Sequence, residues 1–242
     1  MNNREFSDGF TTKMSSYAYQ ANFGNQTSDY DLAFDEYEKS VFLTEAQEEL
    51  VVDLYSGRDK GDFYGLSFEN TEELRRYLDS LVTTKEFDIS EQVTDTPVDD
   101  NSIFFHLPDN LAFITLEQIV YSDDVPCFGG QRANVYPVKQ DEFSRVRKNP
   151  FRGATDYKAI RLDSGTKNVE LLTKHAIKKY IIRYLQKPTP IVLEDLPADL
   201  SINGVNVETP CELHPMLHEV ILENAIRKAA YSRGLKINNN KQ

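Results

Sequence analysis

The chain has 242 residues, a formal net charge of −12, and 40% apolar and 11% aromatic side chains, enough to pack a core in one large or two small domains. That acidic balance argues against a protein built to grip nucleic-acid phosphates, which takes clustered lysine and arginine. No apolar run approaches the roughly 18 residues of a membrane span, and the first twenty residues carry no apolar leader segment.

The charge is unevenly spread. Residues 1–102 hold 23 acidic and 8 basic side chains, and residues 103–242 hold 16 and 19. Halves of opposite sign suit a head-to-tail contact between copies, although solvated faces of either sign are the commoner use of such residues. Two cysteines, Cys127 and Cys211, fit a reducing compartment and define no disulfide framework.

In chain order, Ser7 or Asp8 can cap a first helix that places Phe10, Met14, Tyr17 and Ala21 on one side. The polar turn Phe23-Gly-Asn-Gln26 ends it, and a short helical piece over residues 29–39 carries Leu32, Phe34 and Tyr37. Thr44 followed by Gln47 is a capping-box pair that predicts a helix starting there. Ala46, Leu50, Val51 and Leu54 form its apolar stripe, and Gly57 is its stop. The pattern leaves open whether this helix only docks on its own domain or also meets a neighbouring subunit. A further helix begins near Thr71, with Leu74, Leu78 and Leu81 on its buried side.

Residues 86–101 are acidic and threonine-rich and read as a connector, after which the period becomes strand-like. Strands are expected over 102–106 and 111–121, around the turn Leu107-Pro-Asp-Asn110, and again over 133–138. A capped helix follows over 141–148. Residues 157–162 and 169–172 flank a hairpin turn at Asp163-Ser-Gly-Thr166. Over 178–186, Tyr180, Ile182 and Tyr184 share one face, and Pro188 and Pro190 bar a central strand beyond them. Asn203-Gly204 between β-branched residues is the strongest short hairpin signal. A last helix has Pro215 in its first turn, Leu217, Val220, Ile221 and Ala225 inward, and a Glu223–Arg227 pair outside.

This order predicts an α+β fold: a helical part over 1–85, the acidic connector 86–101, a β-rich domain over 102–210, a C-terminal helix over 211–234 packing back on the helical part, and a flexible tail over 235–242.

Little in the chain points to catalysis. There is no phosphate-cradling glycine loop and no Gly-x-Ser-x-Gly elbow. Cys211, His214 and His218 have a spacing that could gather three metal ligands at one helix start, but a fourth ligand has no diagnostic position, and Pro215 explains His214 as a helix-entrance residue. The acid pairs Asp123-Asp124 and Glu194-Asp195 read as loop solvation before they read as acid–base pairs. Arg145, Arg147, Lys148 and Arg152 make the best anion-facing patch, with no aromatic residues interleaved at a spacing useful for stacking bases.

Several stretches carry a family resemblance. Asp35-Glu-Tyr-Glu-Lys-Ser-Val-Phe-Leu-Thr-Glu-Ala-Gln47 resembles the N-terminal signature of structural proteins from crAss-like and related Bacteroides phages. Val135-Tyr-Pro-Val-Lys-Gln-Asp-Glu-Phe143, Asn149-Pro-Phe151, Tyr180 to Pro188 with Ile191-Val-Leu193, and Cys211-Glu-Leu-His-Pro215 leading into residues 217–225 resemble later parts of the same proteins. The resemblance runs in order over most of the chain. It implies a head-to-tail connector, similar to podovirus tail-adaptor proteins, that forms a homo-oligomeric ring, usually twelve-fold, between the portal protein and neighbouring tail or ring proteins. Such a protein has an N-terminal helical bundle, a β-sandwich-like middle domain and a long C-terminal helix.

On that reading the protein needs no cofactor, meets no membrane, and resides in the virion neck or tail, having passed through the host cytoplasm during assembly. DNA is only non-specific cargo in the ejection channel. The expected subunit or portal contacts are Glu48 on the Thr44 helix with Tyr37, Phe42 and Leu43 before it, Arg145, Arg147, Lys148 and Arg152, and Glu223 with Arg227. The rival readings are a monomeric assembly or binding factor, and a zinc-dependent enzyme using Cys211, His214 and His218.

Overall fold

The computed structural model describes residues 1–22, 33–56, 76–99, 102–165 and 167–234, with backbone alone for 17–22. The expected tail over 235–242, the Gly57 stop and the start of the Thr71 helix lie outside these residues. The chain divides into one unit of residues 1–81 with 188–242 and a second of residues 82–187. Residues 188–210, expected in the strand domain, thus belong with the helices. The strand unit begins at Val82, within the stretch expected to be helical.

In the first unit, helix α1 (Asn3–Asn22) starts earlier than expected. Asn2, not Ser7 or Asp8, accepts from the Glu5 N–H at 2.8 Å, while Glu5 accepts from the Asn2 N–H at 2.9 Å. Phe6, Phe10 and Met14 are its buried stripe. Helix α2 (Glu36–Ser56) runs without a break through Thr44. Its capping box is Asp35 with Glu38: Asp35 Oδ1 accepts from the Glu38 N–H at 2.7 Å, and Glu38 Oε2 accepts from the Asp35 N–H at 3.4 Å. Thr44 sits about two turns inside the helix. Before the strand unit, Leu78 and Leu81 are fully buried in a final helical turn.

Thr44 and Gln47 do a different job from capping. The chain from Pro188 runs extended beside α2, and its backbone is satisfied by α2 side chains. Thr44 Oγ1 accepts from the Ile191 N–H at 3.0 Å and donates to the Ile191 carbonyl at 3.2 Å. Ser40 Oγ accepts from the Leu193 N–H at 3.0 Å, and Gln47 Nε2 donates to the Thr189 carbonyl at 2.8 Å. Residues 40, 44 and 47 lie on one helical face, so a stripe of three uncharged polar side chains holds a strap of largely buried backbone. Beyond the strap, Asn203 (φ 50°) and Gly204 (φ 85°) make the predicted hairpin turn between the paired Ile202 and Val205. A 3₁₀ turn at Pro215–Leu217 leads into α4 (His218–Ser232), which buries Ile221, Leu222, Ala225, Ile226, Ala229 and Ala230. Its alanines let α2 and α4 pack closely, the main helix contact of the unit.

The second unit is one seven-stranded sheet. Its strands are β1 (Val82–Asp88), β2 (Ser102–His106), β3 (Leu111–Tyr121), β4 (Arg132–Pro137), β5 (Lys158–Asp163), β6 (Asn168–Leu172) and β7 (Ile177–Gln186). They lie in the order β1-β7-β3-β4-β5-β6-β2. All neighbours are antiparallel except β4 and β5, which helix α3 (Gln140–Arg147) connects as a parallel crossover. Residues 86–88, expected in the connector, extend β1 because Phe87 is needed inside: it is buried beside Phe105 and stacked on Tyr180 at 5.6 Å.

The sheet is continuous, where a sandwich-like domain was expected. β1 and β2 stand at its opposite edges, yet Phe87 and Phe105 meet at 5.6 Å, so the sheet curls over its own inner face. Every strand sends residues inward, among them Ile119, Val135, Ala159, Val169, Tyr180, Ile182 and Tyr184. The alternation predicted for β7 is the one observed. Inside this core Glu117 is hydrogen-bonded to the Tyr180 hydroxyl at 2.7 Å and ion-paired with Arg161, which also pairs with Asp163 at 3.1 Å. Burial and the Glu117 charge push the Tyr180 phenol well above its ordinary value. Phe143 and Val146 of α3 cover the outer side of β5 and β6 through Ile160, Leu162 and Leu172.

Candidate subunit interface

On α2, Tyr37 is half-buried against Val192, Leu196 and Ile202. Phe42 is half-buried and meets Phe34 edge-on at 5.8 Å. Leu43 is fully buried, so it belongs to the core of its own unit and has no surface to offer a neighbour. Glu48 is exposed and accepts from Asn203 Nδ2 at 2.7 Å. On α4, Glu223 pairs with Lys13 of α1 at 3.5 Å and not with Arg227, which is half-buried. Lys228 bridges to Glu49 of α2 at 3.0 Å. Several charges of the helical unit are therefore already spent tying its helices together.

The basic stretch forms a more open surface. Arg145, Arg147, Lys148 and Arg152 are all exposed at the end of α3 and the turn after it. Arg145 pairs with Glu142 at 3.2 Å and Arg147 with Asp99 at 2.7 Å. The fold adds aromatic rings that sequence spacing did not reveal. Phe151 is 90% exposed and Tyr157 68% exposed, and Tyr136 projects from β4 beneath Lys158, whose Nζ lies 4.9 Å from the ring. Lys158 Nζ also donates to the Arg152 carbonyl at 2.9 Å. Tyr157 meets Phe128 edge-on at 5.9 Å, and Phe128 stacks on His175 at 5.4 Å. His175 and Lys174 hydrogen-bond Asp156 and hold its carboxyl below the ordinary range. Phe151 follows a proline in a turn sequence and Tyr157 sits in the turn just before β5, where a strand was expected to begin, so nothing in the periodicity marked either as a surface group.

A family model described as phage tail ring protein 3/4 matches residues 1–241. The chain belongs to this family. It is similar to Ring protein 3 of Bacteroides phage crAss001, with 45% identity over 235 residues, 96% of each chain. It is also similar to Ring protein 4/5 of the same phage, with 28% identity over 246 residues, 98% of this chain and 96% of that one.

In this tail ring family member the three side chains weighed as metal ligands are each engaged in holding the fold. The Cys211 thiol donates to Gln47 Oε1 at 3.1 Å, and burial pushes its pKa up to about 11, far from a reactive thiolate. His214 caps the 3₁₀ turn, its Nδ1 accepting from the Met216 N–H at 3.3 Å. His218 is buried, its Nε2 bonded to the Leu213 carbonyl at 2.9 Å and its ring against Phe6 at 5.4 Å. The described residues hold no group of three or more histidine, cysteine, aspartate or glutamate side chains placed to share a metal ion. Of the acid pairs, Asp123 bonds Lys178 at 2.6 Å and Asp195 caps the Glu208 N–H at 2.8 Å. No helix among the described residues is long and apolar enough to cross a membrane.

Proposed function

We propose that the protein is a non-enzymatic component of the phage virion that closes into a ring and serves as a head-to-tail adaptor, joining the portal to the tail. The observation that carries this reading is the match to the ring family over residues 1–241, together with 45% identity to a named ring protein across 96% of both chains. A closed ring of identical subunits needs two different surfaces on each copy, one meeting the other on its neighbour. The α2 face that carries half-buried Tyr37 and Phe42 and exposed Glu48, the Glu223 and Arg227 side of α4, and the basic end of α3 are the surfaces assigned to subunit and portal contacts. Leu43 is omitted because it is core. The excess of acid in the chain suits a conduit through which DNA must slide without adhering.

Negative-stain micrographs of the purified protein, alone and mixed with portal protein, test the reading. Rings, and their attachment to portal, are the expected result. Mass spectrometry of purified virions separates a structural role from that of an assembly factor: absence of the protein from mature particles would contradict its place in the neck.

A further inference from the structure

We propose that the turn segment 148–157, which exposes Phe151 and Tyr157 beside Lys148 and Arg152, seats the acidic loop 194–208 of a second copy. This rests on the ring reading and names the contact that builds the ring. Phe151 is the large apolar side chain with the greatest exposure in the described part of the chain. It is held outward by a braced turn: Asn149 Oδ1 accepts from the Phe151 N–H at 2.9 Å, and the Asn149 carbonyl accepts from the N–H groups of Arg152 and Gly153 at 3.1 and 2.8 Å. Gly153 suits the turn closely, since a Cβ there would stand 3.1 Å from the Asn149 carbonyl oxygen and press on it. Lys158 fixes the far side through the Arg152 carbonyl. A pre-organised aromatic ring among arginines is the composition of an interface anchor, because little freedom remains to be lost on binding.

The acidic loop complements this surface in charge and in its apolar side chains. Residues 194–208 carry Glu194, Asp195, Asp199 and Glu208 and no lysine or arginine. The same loop exposes Leu200 and Val207, apolar partners for the rings. It too is braced, by the turn at Asn203-Gly204 and by Leu196 and Ile202, which pack with Val192 beside α2. Nearby carboxylates on the patch side are internally paired, Glu142 with Arg145 and Asp156 with Lys174 and His175. Patch and loop are different surfaces, so each copy offers one of each, the requirement for a head-to-tail ring.

Sedimentation velocity on the full-length protein tests this, at low and high salt and with portal protein present or absent. Four variants are compared with wild type: Phe151→Ser with Tyr157→Ser, Lys148→Glu with Arg152→Glu, Glu194→Lys with Asp199→Lys, and the last two pairs combined. Each single-surface variant is expected to raise the concentration needed for assembly about tenfold or more, and the combined charge swap to restore it. All these side chains are exposed, and an unchanged circular dichroism spectrum and melting curve verify folding. Wild type that assembles while the single-surface variants assemble equally well, or a combined swap that restores nothing, overturns the contact and leaves the ring reading standing. Wild type that never assembles, alone or with portal, overturns the ring reading and the contact with it.

Discussion

Thr44 shows how one hydroxyl serves two buried backbone groups. It is 3% exposed and bonds both the N–H and the carbonyl of Ile191, a residue itself fully buried. Replacing it by valine keeps the shape and leaves both groups unpaired, so Thr44→Val is expected to cost about 1–3 kcal/mol, read as a lower urea midpoint. Thr44→Ser keeps the bonds and is expected to lose much less. His218 makes stability depend on pH. Burial lowers its pKa from the ordinary 6.5, so the folded protein holds the ring neutral while the unfolded chain protonates it first. The contribution is complete above pH 6.5 and is lost as pH falls through the lower folded value. Urea midpoints measured against pH are expected to show this fall in the wild type and not in His218→Phe, whose baseline is lower throughout for want of the bond to Leu213.

At the scale of elements, helix α2 is organised around two faces, one apolar and packed on α4, the other a polar stripe that carries the 188–193 strap. The hairpin that follows depends on left-handed backbone at Gly204, φ 85°. Gly204→Val is expected to destabilise by about 1–2 kcal/mol, seen in the same denaturation assay and in faster amide exchange at Val205 and Ile202. That turn was legible because Asn-Gly has a mechanism of its own. The β7 alternation of Tyr180, Ile182 and Tyr184 was legible because one face of the strand is core. Thr44 and Gln47 misled because the same two side chains that cap a helix also pair with a neighbouring strap, and only the long-range position of Ile191 decides between these uses. β1 was hidden by Glu86 and Asp88 on its outer face, while its pairing with β7 joins residues about a hundred positions apart in sequence, Val82 with Leu185. Ser102–His106 and Leu111–Tyr121 were recognised as strands, yet the turn between them makes no hairpin: β2 pairs with β6, and β3 with β7 and β4. The exposure of Phe151 was equally unreadable, because periodicity reports which residues share a face and not which face is covered.

At the scale of the whole molecule, the match to the ring family favours self-assembly through unlike surfaces. Contacts rimmed by exposed charge weaken with salt, since screening acts within about 10 Å at 0.1 M ionic strength, so assembly is expected to recede as salt rises and to return on dilution of the salt. The most direct measurement is the mass and shape of the purified protein across a concentration series, by mass photometry and negative-stain microscopy, with and without portal protein. Closed annuli of one dominant stoichiometry are predicted. A chain that remains a monomer under every one of these conditions would contradict the claim that it works by building a ring.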